Sequence, residues 1–416
     1  MTTFDIDWVR SQFPALAVKV NGYPAAFFDG PGGTQVPQRV IDAMGAYLAA
    51  SNANTHGAFA TSRRTDEVIA AAHAAMADLL GCDPEEIVFG PNMTTLTFAL
   101  SRALGRDLDP GDEIIVTRLD HDANVSPWTA LKERGCAIHF VDIHPADCTL
   151  DIEELRQKLT PRTRVVAVGY ASNAVGTIND IAEVVRLAHG AGAMAYIDAV
   201  HYAPHGPIDV RSLDCDFLVC SPYKFFGPHS GVLYGKRERL LRLRPYKVRP
   251  SPDSLPGRWE TGTQNHEGLA GVTAAVEYLA ELGRRHKPEA RGQRAALLAA
   301  YDALRLYERR LLAQLVPALL EISGLTFYGI TEPARFQQRV PTVAVRIAGR
   351  SPRELAAHLG ERGIFTWDGN YYALNLSERL GVEPTGGMLR IGLVHYNTAA
   401  EVDRLLAALR ELAPRG

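Results

Sequence analysis

Apolar runs of strand length and amphipathic runs of helical spacing alternate through the middle of the chain. The strand-length runs are DEIIVTR (112–118), AIHFVDI (137–143), TRVVAVGYAS (163–172), AMAYIDA (193–199) and DFLVCS (216–221). Between them lie WTALKERG (128–135), DIEELRQKL (151–159) and IAEVVRLAHGAG (181–192), whose apolar spacing predicts helices. Runs that are apolar without alternation belong to strands buried on both faces, so the rhythm predicts a mostly parallel sheet with helices on either side. Upstream, a short leading helix precedes TDEVIAAAHAAMADLLG, a helix over about 65–80 with Gly81 as its stop; EEIVFG is then a strand and MTTLTFALSRAL a helix.

From about residue 267 the texture changes to long helices, EGLAGVTAAVEYLAELG and RAALLAAYDALRLYERRLLAQLVPALLEI. A smaller α+β unit follows, with strands near VPTVAVRIAG and GMLRIGLV and helices near SPRELAAHLGERG and AAEVDRLLAALREL. The boundary between the two units is placed inside the long helix, near 290.

With 416 residues, 46% of them apolar, the chain can bury a core large enough for two domains. Its 44 basic and 47 acidic residues leave a net charge of −3 with no long run of one sign, which argues against a nucleic acid or an anionic membrane as partner. Five cysteines (Cys82, Cys136, Cys148, Cys215, Cys220) form neither a CxxC pair nor a cysteine–histidine cluster of zinc-site spacing, so a reduced, cytoplasmic protein without a metal site is expected. The opening MTTFDIDWVRSQFP is acidic and amphipathic, unlike a signal peptide, and no apolar run approaches the length of a membrane span.

Sheets of this kind bind ligands beyond the carboxyl ends of their strands. His121, Asn173, Asp198 and Ser221 all fall there. Asp198 ends the AMAYI strand, and the next strand is expected to run on through Ser221 and Tyr223 to Lys224. Taken singly, Asp198 reads as a turn cap and Lys224 as a solvated lysine. Together they are the two groups that pyridoxal phosphate requires: an amine that holds it as a Schiff base and a carboxylate that keeps its ring nitrogen protonated. Thr94 and Thr95 open a helix, whose unpaired N–H groups and positive dipole end suit a phosphate; two N-capping threonines are the other reading.

These segments, with FPAL…VNGYPAAFFDGPG, FGPNMTTLTFAL, LDHDANVSPW, SNAVGTIND, IDAVHYAPHGPIDV, CSPYKFFGP, RWETGTQNHEG and LRIGLVHYNTAAEVDRL, make the chain resemble the class V aminotransferase group of fold-type I pyridoxal-phosphate enzymes nearly end to end. That group contains cysteine desulfurases, selenocysteine lyases, kynureninases and isopenicillin epimerase, and the desulfurase-like pattern is the nearest in order and spacing. The resemblance implies an N-terminal segment (1–20) packing with the small domain, a large cofactor-binding domain (21–290) on a mostly parallel seven-stranded sheet sandwiched by helices, and a small α+β domain (291–416). It implies Lys224 as the Schiff-base lysine and proton carrier, Asp198 at the pyridine nitrogen, His121 stacked on the ring, Asn173 on its O3′ side and at the substrate, and His201 bonding O3′ or helping to set the imine's pKa. The phosphate would be held by Thr94, the backbone around Met93 and Thr95, Ser221, and Thr263 from a neighbouring subunit, which implies a homodimer with shared sites. Tyr223 would touch the phosphate or simply pack, and Arg390 would grip a substrate α-carboxylate with both arms of its guanidinium.

One position departs from the pattern. Desulfurases use a cysteine thiolate on the loop before the last strands; here that loop reads GIFTWDGNYYALNL, and alignment on Gly369 and Ala373 puts Tyr372 at the cysteine position. Cys220, near Lys224 in sequence, sits in an apolar strand and reads as a small buried hydrophobe. The glycine-rich FDGPGGTQVP, NANTHGAF and the aromatic residues Trp367, Tyr371 and Tyr372 point to an altered substrate pocket. The expected activity is elimination from cysteine, selenocysteine or a related substituted alanine without a persulfide. Aminotransfer or epimerisation would use the same residues, and a partner protein that holds the cofactor without turnover is a third reading, against which the complete set Lys224, Asp198, His121 and Thr94 argues.

Overall fold

The computed structural model describes residues 4–414; Met1 to Thr3 of the amphipathic opening, and Arg415 and Gly416, lie outside the described residues. The apolar runs form the strands β1 (Ile87–Gly90), β2 (Glu113–Thr117), β3 (Ala137–Val141), β4 (Thr163–Gly169), β5 (Met194–Asp198), β6 (Phe217–Cys220) and β7 (Gly231–Gly235), hydrogen-bonded in the order β1-β7-β6-β5-β4-β2-β3. All pairs are parallel except those of β7, which runs antiparallel to both β6 and β1. Side chains alternate between the two faces. Val166 and Val168 enter one apolar cluster, and Val165 and Ala167 enter another on the opposite side.

Local chemistry sets most helix ends. Helix α1 (Ala60–Leu80) stops at Gly81, whose φ of +78° is the left-handed cap that glycine adopts without strain. Helix α2 (Met93–Leu104) starts at Asn92, whose side chain accepts the Thr95 N–H. A Cβ on Gly231, where β7 begins, would overlap the Asn92 backbone, so glycine there lets the start of α2 close onto the sheet.

Three expectations are corrected. Helix α1 begins five residues earlier than 65. WTALKERG is not one helix but a helical turn (Ser126–Thr129) followed by a 3-10 stretch (Ala130–Arg134), closed by Gly135 in the left-handed region. The strand expected to reach Lys224 ends at Cys220, and Pro222, with no N–H to give a ladder, starts a 3-10 turn that ends at the lysine.

Two helices, α3 (His266–His286) and α4 (Gln293–Leu320), pack along each other after the sheet, and residue 290 falls in the turn between them. Helix α4 enters both main cores: Leu297, Ala300, Tyr301 and Leu304 join the large cluster, whereas Leu311, Leu312, Leu315 and Leu319 join that of the smaller unit. The smaller unit is an antiparallel sheet of β8 (Leu325–Tyr328), β9 (Thr342–Ile347), β10 (Trp367–Gly369) and β11 (Met388–Gly392), ordered β8-β9-β11-β10. Ala26–Phe27 pairs in parallel with Ile364–Phe365, which places Ala26 and Phe28 in the smaller unit's core. The helix Ile6–Ser11 is tied down where Arg10 donates to the Tyr396 carbonyl (2.6 Å) and to Glu401 (2.9 Å). Among the described residues no helix is long and apolar enough to cross a membrane.

Candidate active site

The carboxyl ends of the parallel strands open into a cavity of about 660 Å³ between the large sheet and the loops of β10 and β11. Asp198 reaches it as the last residue of β5, and Lys224 as the last residue of the 3-10 turn after β6. His121, Asn173, His201, Tyr223, Arg390, Met93 and Thr94 also line it. Two residues expected at the site are not on its wall: Thr95 is exposed with its N–H held by the Asn92 side chain, and Ser221 is buried with its Oγ unpartnered; Thr263, expected to serve a neighbouring subunit's site, lies on an exposed loop. Asn92 takes the capping role allowed for the threonines.

Burial sets the electrostatics. Asp198 accepts the Val200 N–H at 2.9 Å, yet burial pushes its carboxyl up to about 6, with that hydrogen bond and Lys224 pulling the other way. Burial, and then Arg390, bring the Lys224 amine down to about 7 against the pull of Asp198 and Asp29; its Nζ donates to the Pro31 carbonyl. Burial with Lys224 and Arg390 takes His121 down to about 4, so its ring is neutral. Its Nδ1 accepts the Ala123 N–H at 3.0 Å, and the ring stacks on Tyr372 with centroids 5.3 Å apart.

The far wall comes from the smaller unit. Arg390 donates from Nη1 to the Asn173 carbonyl (2.9 Å) and lies 4.3 Å from the centre of the Tyr371 ring, while its Nε has no partner. Asn173 donates to the Tyr371 carbonyl (2.9 Å) and keeps a buried, unpartnered Oδ1. Tyr371 and Tyr372 both have positive φ (55° and 60°), a strained choice for two successive non-glycine residues. A Cβ on Gly32 would overlap the Trp367 indole, so the glycine-rich FDGPGG segment is what lets that ring close on the cavity.

Two acids escaped the sequence reading. Asp120 is buried beside His121, accepts the Gly169 N–H (2.7 Å) and an Asn124 N–H (3.1 Å), and so pins the end of β4 to the His121 loop. The LDHDAN motif contained it, but only its histidine drew attention. Asp29, in FDGPGG, is partly buried with its Oδ1 unpartnered, and burial raises it to about 6 against Arg390 and Lys224. None of the five cysteines lines the cavity, and burial pushes every one of the thiols up, Cys148 and Cys215 to about 12.

These shifts make a stability prediction. Asp198 keeps its proton to about pH 6 when folded but only to 3.8 in its ordinary state, so the folded chain binds the extra proton between those values and stability falls as pH rises from about 4 to 6. Lys224 sheds its proton near 7 instead of 10.5, so stability recovers above about 7. In thermal denaturation of the cofactor-free protein, the Asp198→Asn variant should gain on the parent across pH 4 to 6, by about 3 kcal/mol in all. A gap that stays constant across that range would mean an ordinary carboxyl.

A cavity with an acid and an amine at one end, unpartnered buried donors and acceptors on Asn173, His201 and Arg390, and a helix start at Met93 and Thr94 fits pyridoxal phosphate. Residues 26–405 match the family model of class V aminotransferases. A cysteine desulfurase of Pectobacterium atrosepticum is 32% identical, the match covering 99% of this chain and 98% of that protein. A probable cysteine desulfurase of Mycolicibacterium paratuberculosis is also 32% identical over 99% of the chain, which spans 59% of that relative's length. Among solved structures, the cysteine desulfurase CsdA of Escherichia coli, in an S-sulfonic acid form, has a TM-score of 0.85 at 29% identity, covering 99% of this chain and 100% of that one. The apo cysteine desulfurase of Thermococcus onnurineus NA1 has 0.87 at 26% identity, with 99% of each chain covered. The chain belongs to the class V aminotransferases, enzymes that use pyridoxal 5′-phosphate.

Proposed function

We propose that this enzyme eliminates the β-substituent of cysteine, selenocysteine or a related substituted alanine directly, with no thiol of its own. The observation that carries the reading is the cavity wall, which has the amine and carboxylate for the cofactor but no cysteine, and has Tyr372 on the loop where the desulfurase pattern places one. The relatives named cysteine desulfurases support a sulfur-bearing amino acid as substrate.

Bound pyridoxal phosphate supplies an electron sink for charge formed at the substrate's Cα. With the cofactor bound, Asp198 would pair with the ring nitrogen, His121 would cover the ring as a neutral plane, and Asn173 and His201 would serve its O3′ side. Thr94, the Met93 and Thr95 backbone and Ser221 would hold the phosphate, with Thr263 contributed across a homodimer. Arg390 would bind the α-carboxylate, for which its Nε has no partner within the protein. Lys224, at about 7, has a neutral amine available near physiological pH, and takes the Cα proton. The C–S bond then breaks with its electron pair on sulfur. Overall, cysteine and water become pyruvate, ammonia and hydrogen sulfide.

With cysteine as substrate, sulfide and pyruvate should form in equal amounts. Treatment with iodoacetamide should leave the rate unchanged, because the five thiols are kept protonated by burial. Alanine as the product, with sulfur retained on the protein and the rate abolished by alkylation, would replace this reading with a desulfurase. Turnover that depends on an added keto acid would replace it with aminotransfer.

A further inference from the structure

Behind the cavity, from His201 inward, lies a buried polar chain whose outer members the reaction above leaves unused. His201 lines the cavity, and its Nε2 is 3.0 Å from Thr342 Oγ1 on β9. Its Nδ1 is buried without a partner. The ring meets His205 edge to face, with centroids 5.6 Å apart and planes at 72°. Nδ1 of His205 is in turn 3.0 Å from Glu308 Oε2. His201, His205 and Glu308 are 3%, 4% and 3% exposed. Glu308 keeps a second oxygen, Oε1, with no partner, and a small cavity of about 30 Å³ is lined by His205 and Glu308 together with Arg305 and Arg309. That is room for about one water.

Two imidazoles and a carboxyl are costly to bury, and apolar residues of the same size would fill the space at least as well for stability. Their arrangement has a consequence for the cavity wall. The bond to Glu308 at Nδ1 fixes the plane of the His205 ring; burial raises the Glu308 carboxyl against the pull of His205 and Arg305, and in its ionised form, which only accepts, it also fixes the tautomer with Nδ1–H. The His205 ring then limits how His201 can turn, while Thr342 holds the opposite end of His201. Both outer anchors belong to elements of the smaller unit's side: Thr342 lies on β9, and Glu308 lies on α4 between the stretch that joins the large core and the stretch that joins the small one. The two histidines follow β5 of the large sheet. The chain of contacts therefore ties the cavity wall to the smaller unit.

We propose that Glu308, acting through His205, is a positioning residue for His201: it fixes the plane of that imidazole and which of its nitrogens faces the cavity. The proposal rests on the reading of the cavity as a pyridoxal-phosphate site with His201 beside the cofactor. The charged and titratable groups that act on His201 are His205, Lys224, Arg390 and His121, and burial is the largest influence; all of them disfavour its protonated form. A change in its orientation is therefore felt by the cofactor as a gained or lost hydrogen bond.

The test compares Glu308→Gln and His205→Gln with the parent protein. The first readout is ¹⁵N-histidine NMR of the cofactor-free protein, with His201→Gln assigning the signals. The second is the pH midpoint of the visible band of the pyridoxal-phosphate-loaded protein. In both variants the His201 ring nitrogens should shift, and the midpoint should move by about half a pH unit or more. The double variant should move it no further than either single one, as residues acting in series do. Unchanged His201 signals and an unchanged midpoint, alongside a lower melting temperature, would reduce Glu308 to a structural role and overturn the proposal. A protein that takes up no pyridoxal phosphate would instead defeat the reading of the cavity, and the NMR of the cofactor-free protein would still decide whether Glu308 positions His201. Where Glu308→Gln fails to fold, His205→Gln carries the same comparison.

Discussion

Lys224→Ala is expected to lower turnover by at least about a thousandfold and to remove the visible absorption of the cofactor-loaded protein. On the proposed function, the size of the effect follows from one side chain serving two purposes, covalent attachment of the cofactor and proton movement at the substrate's Cα. The fold prepares it for both. The 3-10 turn Pro222–Lys224, closed by the Lys224 N–H on the Ser221 carbonyl at 3.0 Å, aims the amine into the cavity, and the Pro31 carbonyl accepts a hydrogen bond from it. At 9% exposure the ammonium form is poorly solvated, which is the main reason its pKa is near 7. Lys224→Arg keeps a cation in the cavity but cannot lose its proton at any working pH, so it should be as inactive as the alanine variant. Spectra and single-turnover rates of the two variants provide the check; an arginine variant that retained the band and the rate would remove Lys224 from the mechanism.

The parts of this molecule that were legible in its sequence are those set by neighbours along the chain. Val165 to Val168 read as a strand because a parallel strand buried on both faces needs no polar alternation, and Gly81 read as a helix stop because its φ is one that glycine alone tolerates cheaply. Asp198 and Lys224 were legible because each closes or follows such a run. What distance in sequence assembles was not. The Pro31 carbonyl meets Lys224 across 193 residues, and Glu308 meets His205 across 103. Asp29 gave no local signal because its surroundings come from Arg390 and Lys224, and nothing in NYYAL announced two tyrosines with positive φ. The turn Pro222–Lys224 was missed for a different reason: with Lys224 taken as part of the strand, the end of that strand at Cys220 was invisible.

Asp198→Asn should separate cofactor binding from cofactor use. The variant is expected to bind pyridoxal phosphate through Lys224 and stay yellow, yet to turn over about a thousandfold more slowly, because an amide cannot stabilise a proton on the ring nitrogen and the ring loses its strength as an electron sink. The cofactor-free geometry explains why a carboxylate is kept in so unfavourable a place. Asp198 is buried at the end of β5, its carboxyl accepts the Val200 N–H, and burial raises it to about 6. A cation brought against it reverses that penalty, since opposite charges within a few ångströms in a poorly solvated site each favour the other's ionised form. The carboxylate and the ring proton are therefore coupled, and each is weak alone. Removing the carboxylate should stabilise the cofactor-free fold between about pH 4 and 6 while disabling the loaded enzyme. Asp198→Glu preserves the charge but moves it by a methylene, and should recover part of the rate. If Asp198→Asn turned over at the parent rate, the ring nitrogen would not need its proton, and the pairing of Asp198 with the cofactor would have to be abandoned.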